Sequence, residues 1–62
     1  MLKENIRHLL KSNNITQKKC SIYLGISIKT LEAKLRGYRP FKIDEVTKIK
    51  DLLNVEYSDL LN

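Results

Sequence analysis

The chain has 62 residues, with 12 Lys and Arg against 7 Asp and Glu, for a formal net charge of +5. A domain of this size buries only roughly 60% of the surface its unfolded form exposes, so one small core is expected and a large catalytic cleft is excluded. The single Cys20 rules out an intramolecular disulfide, and no His and Cys cluster offers zinc ligands, so neither metal nor cofactor is expected.

Charges are scattered through the opening run "MLKENIRHLLKSN", which makes it neither a secretory leader nor a membrane span. A cytoplasmic location is expected, and one free cysteine suits that reducing compartment. The positive charge is concentrated in mid-chain. Residues 16–42 hold seven basic residues against Glu32 alone, a net of +6, whereas residues 43–62 hold two basic and five acidic, a net of −3. A polyanion facing the middle segment is implied, nucleic acid before anionic membrane, with a solvated lysine face as the plainer alternative.

In chain order, Leu2, Ile6, Leu9 and Leu10 form one helical stripe that runs to about residue 11. "SNN" ends it. Thr16 is a cap for a second helix over residues 17–24, which Gly25 stops in a left-handed conformation. Ser27 caps a third helix over residues 28–36, closed by Gly37, and Pro40 makes "YRPF" a loop. A fourth helix over residues 43–53 is expected to bury Ile43, Val46, Ile49, Leu52 and Leu53, with Asp44 and Glu45 favouring its dipole. A short turn from Tyr57 to Leu61 completes a single all-α domain, residues 1–62.

Gly25 divides what would otherwise be one helix into two short ones joined by "GIS", the spacing of a helix-turn-helix. Ser21 is small where the next helix crosses, Gly25 turns the chain, and Leu31 anchors the second helix on the core. With these residues in place, "IRHLLKSNNITQKKCSIYLGIS" and "LRGYRPFKIDEVTKIKDLLNVEYSDLL" resemble the Cro/repressor type of helix-turn-helix family. The likeness covers nearly the whole chain, with Thr16, Gln17, Gly25, Ile26 and Ser27 at the family's characteristic places. It implies a compact five-helix, lambda-repressor-like bundle whose second and third helices form the helix-turn-helix.

The resemblance also implies a phosphate contact at Gln17 and base-facing positions at Ser27, Ile28, Lys29 and Ala33. Ile28 stands where the family is commonly polar and could read only a thymine methyl. The family often pairs an Arg at the place of Leu10 with a Glu at the place of Leu35. Both are leucine here, so an apolar Leu10 to Leu35 contact is expected, with Lys34 turned towards solvent or phosphate.

The physics of groove reading adds to this list. Lys29 can donate to guanine, Thr30 can bond base or phosphate, and Ala33 allows close approach. Lys18, Lys19, Arg36, Tyr38, Arg39 and Lys42 flank the third helix as expected phosphate contacts. Cys20 is read as a core residue and His8 as an isolated surface residue with no Ser, Cys or carboxylate placed to work with it. Tyr57, Leu60 and Leu61 either cap the core or form a dimer patch. The expected function is that of a small phage-type or bacterial repressor, a weak homodimer on a double-stranded DNA operator. No small-molecule ligand, membrane partner or enzymatic activity is expected. The alternative is a protein-interaction module on the same fold, of the antirepressor or antitoxin-partner kind.

Overall fold

Local signals in the chain set where each helix begins and ends. In the computed structural model, residues 2–61 are described, and Met1 and Asn62, the two ends of the expected domain, lie outside the described residues. Five helices are present and no strand occurs among the described residues: α1 (Leu2–Ser12), α2 (Gln17–Leu24), α3 (Ile28–Leu35), α4 (Ile43–Leu53) and α5 (Tyr57–Leu61). Thr16 Oγ1 accepts from the Lys19 N–H (3.1 Å), and Ser27 Oγ accepts from the Thr30 N–H (3.1 Å). These bonds satisfy amides that have no partner within α2 and α3.

The first four helices end in one way. A residue with positive φ follows each: Asn14 (56°), Gly25 (73°), Gly37 (87°) and Asn54 (56°). Its N–H and that of the next residue both turn back onto carbonyls of the last helical turn, as in Gly25 to Ile22 (3.1 Å) and Ile26 to Ser21 (3.0 Å). The residue after the turn is apolar or aromatic each time: Ile15, Ile26, Tyr38 and Val55. Ile15, Ile26 and Val55 pack against the core, whereas Tyr38 stands 78% exposed.

Every helix contributes to one core of Ile6, Leu10, Cys20, Leu24, Leu31, Leu35, Ile49, Leu53 and Leu60. Burial of each large aliphatic side chain contributes about 1.5 to 3 kcal/mol. Helix α2 packs on α3 and α4, and α1 packs on α3, α4 and α5, giving a body of 26 × 21 × 19 Å. The Asn5 side-chain amide donates to the Leu60 carbonyl (2.8 Å), tying α1 to α5. Leu10 and Leu35 are both buried in the same core cluster. Ser21 is buried, with its hydroxyl donating to the Lys18 carbonyl (2.7 Å).

Two expectations need correction. Ile43, expected in the core, is 87% exposed. The buried stripe of α4 runs through Glu45, Ile49 and Leu53, and at 3.6 residues per turn Ile43 points about 200° away from Glu45. Lys34, expected at solvent or phosphate, is only 4% exposed. It shares the buried stripe of α3 with Leu31 and Leu35, and its ammonium pairs with Glu45 in the first turn of α4.

Candidate nucleic-acid interface

The exposed face of α3 follows from its buried one. With Leu31, Lys34 and Leu35 turned inward, the outer stripe is Lys29, Glu32, Ala33 and Arg36, spaced as successive turns of a helix. These four and Tyr38 line one shallow depression. A second, adjoining depression lies between Arg7 of α1, Gln17 at the start of α2, and Glu32, Leu35 and Arg36. Residues of α1, α2 and α3 therefore meet at the C-terminal end of the α3 stripe.

The expected base-facing residues share α3 but differ in what they can still bond. Ser27 is exposed, yet its hydroxyl proton is taken up by Thr30 Oγ1 (2.9 Å) while the oxygen accepts from the Thr30 amide. Thr30 is half-buried. Ile28 is 42% exposed, Lys29 is exposed and Ala33 is half-buried between Lys29 and Arg36. Lys29 is therefore the one expected base contact with a free cationic donor.

The expected phosphate contacts fall into three places. Gln17 and Arg36 line the depression they share with Arg7. Tyr38 sits beside the α3 stripe, while Arg39 lies around the loop with Pro40 and Phe41, facing Leu2 and Lys3 of α1. Lys18, Lys19 and Lys42 are exposed at helix starts. Lys34 leaves the set, because its ammonium is sequestered by Glu45 and no phosphate can reach it without breaking that pair.

Glu45 is held from two sides. Its carboxylate takes the Lys34 ammonium and also accepts from the Lys42 backbone N–H (2.8 Å), which fixes the mouth of α4. Burial pushes the carboxyl pKa up, but the hydrogen bonds from Lys34 and Lys42 and their positive charges outweigh it and leave the group below its ordinary value. Cys20 is fully buried, and burial raises its thiol to about 11, which leaves it a core residue and not a nucleophile. His8 is less isolated than expected, since Ser12 Oγ lies 3.5 Å from its Nε2. That hydroxyl donates to the His8 carbonyl (2.8 Å), so it has no proton for the ring to remove. Among the described residues no group of three or more His, Cys, Asp or Glu could hold a metal ion, and no helix is long and apolar enough to cross a membrane.

Sequence reasoning passed over Arg7 and Glu32. Glu32 was legible in principle, because it falls three residues after Lys29 on the same helix face. Arg7 had no such signal, since its place beside Gln17 and Arg36 depends on how α1 packs against α3. No family model matches the chain, and neither a curated protein nor a solved structure matches it.

Proposed function

We propose that the chain is a sequence-specific double-stranded DNA-binding regulator of the Cro/repressor type, with α2, the Gly25 turn and α3 as its helix-turn-helix. The observation that carries this reading is the outward stripe of α3, where Lys29 and Arg36 flank the small Ala33 beside Gln17 at the start of α2. A major groove admits one such helix, whose base-facing side chains read while the preceding helix rests its N-terminus on the backbone. Lys29 donates to a base edge and Ile28 contacts a thymine methyl. Gln17, Lys18, Arg36, Tyr38, Arg39 and Lys42 hold phosphates and fix register.

One helix of eight residues covers few base pairs, so two copies related by a two-fold axis would read half-sites about 34 Å apart. The loop at Tyr38 and the tail at Tyr57 are the surfaces proposed to meet in a weak homodimer, repressing by occupying an operator in the bacterial cytoplasm. The deciding experiment is binding to a random-sequence duplex across a salt series. The slope of log affinity against log salt should be roughly −0.9 per phosphate neutralised. A flat response, or no binding at low salt, sinks the proposal. It would favour the second reading, a protein-binding module, for which the support is the exposure of Ile22 (70%) and Ile43.

A further inference from the structure

Between residues 16 and 42 Glu32 is the only acid, and it lies in the middle of the α3 stripe, not at its edge. It borders both depressions: the one with Lys29, Ala33, Arg36 and Tyr38, and the one with Arg7, Gln17, Leu35 and Arg36. Lys29, Arg36 and Arg7 line these depressions with it, yet among the described residues its carboxylate enters no ion pair with any of them. Glu32 is half-buried.

A carboxylate at such a place is costly unless it meets a donor. Towards phosphate it only repels. Towards a base edge it can only accept, and guanine O6 and N7 and thymine O4 are themselves acceptors in the major groove. Two amino donors stand in the major groove, adenine N6 and cytosine N4; adenine carries the N7 acceptor beside its amino group, which repels a carboxylate and suits Asn or Gln, so cytosine N4 is the donor that Glu and Asp recognise there. Lys29, three residues earlier on the same face, has the opposite chemistry and suits guanine O6 and N7. The rest of the face offers no rival anion: Ile28 and Ala33 are apolar, Arg36 is a donor, and the Ser27 proton is already bonded to Thr30.

Resting on the DNA-binding reading above, we infer that Glu32 is a specificity-determining residue which, together with Lys29, reads a G·C base pair, the ammonium on guanine and the carboxylate on the cytosine amino group. The carboxylate also lowers affinity for every sequence that lacks this pair, so Glu32 sharpens discrimination by weakening wrong sites as well as by holding the right one.

The test is a selection from a pool of random-sequence duplexes with the full chain and two variants, Glu32→Gln and Glu32→Asp. The wild-type chain should enrich a G·C pair at one position of each half-site. Glu32→Gln should lose that preference by about tenfold and admit adenine, which Gln recognises. It should also hold unselected duplex more tightly than the wild type, by a margin that shrinks as salt rises. Glu32→Asp keeps the charge but shortens the reach, so it should lose the cytosine preference without that gain. Thermal melts followed by circular dichroism show whether each variant is folded at the selection temperature. Enrichment of one sequence at equal stringency by all three proteins would overturn the inference while leaving DNA binding intact. Retention of no duplex by any of the three, wild type included, would overturn the DNA-binding reading and this inference with it.

Discussion

Lys34 of α3 and Glu45 of α4 form an ion pair in which neither residue is more than 5% exposed. Such a pair is a poor source of net stability but a strong constraint on geometry, because removing either partner leaves a desolvated charge alone. Lys34→Ala should therefore destabilise the fold by about 3 to 5 kcal/mol. Lys34→Met combined with Glu45→Gln should recover most of that loss, since Gln can still accept from the Lys42 amide and no charge remains. Urea unfolding at neutral pH measures both. A double variant as unstable as Lys34→Ala would mean that the pair contributes attraction beyond its desolvation cost.

The same double variant separates the ion pair from DNA binding. With Lys34 buried, its loss should leave the salt slope of duplex binding unchanged, whereas Lys42→Ala should lower that slope by about one and weaken all sequences alike. Lys29→Ala should instead cost about 1 to 3 kcal/mol on a selected site and relax one base position. Binding isotherms for each variant on selected and scrambled duplexes give the comparison. Equal losses on both sequences for Lys29→Ala would reassign it to phosphate.

Stability should fall at both ends of the pH range. Glu45 has a folded pKa below its ordinary 4.5, so the stability it contributes is complete above that value and is lost as pH falls through the folded pKa. Cys20 has the opposite sign: its thiol is raised from 9.0 to about 11, so the unfolded chain loses its proton first and stability declines between those values. Melting temperatures of the wild-type chain and Cys20→Ala across that alkaline range should converge. A constant difference between them would remove the thiol as the cause.

Gly25 offers a cleaner backbone test than Gly37. A Cβ at Gly25 meets nothing within 4 Å, so the cost of Gly25→Ala comes from its φ of 73° alone, about 1 to 2 kcal/mol. Gly25→Asn should cost less, since Asn14 and Asn54 hold the same conformation at the ends of α1 and α4. Denaturation midpoints rank the three proteins, and Asn falling below Ala would contradict this account.

Both ends of α2 and the extent of α4 were legible because the signals are local: a capping Thr16 and a left-handed stop at Gly25 for α2, and the apolar period for α4. Ile43 misled because hydrophobicity says only that a residue can be buried, while its angular offset from Glu45 and Ile49 decides whether it is. Lys34 misled in the converse way. A lysine is read as exposed by default, and its partner lies 11 residues away across a loop, a distance over which no periodic signal operates. Within the candidate interface, Lys29 and Ala33 stand together as their spacing suggests, but the hydrogen bond that the Ser27 hydroxyl donates to Thr30 depends on rotamers that sequence does not state.

The four left-handed stops also bear on how quickly this chain finds its form. Without the stop at Gly25, residues 17–36 could run on as a single rod about 30 Å long, with its two apolar faces unable to meet. Because each stop is decided by hydrogen bonds spanning no more than five residues, helix boundaries need not wait for the bundle to assemble. Folding in microseconds to milliseconds is the expectation for such local topology. The Lys34 to Glu45 pair, which requires α3 and α4 to be already docked, should then form after the rate-limiting step, so that breaking it accelerates unfolding far more than it slows refolding.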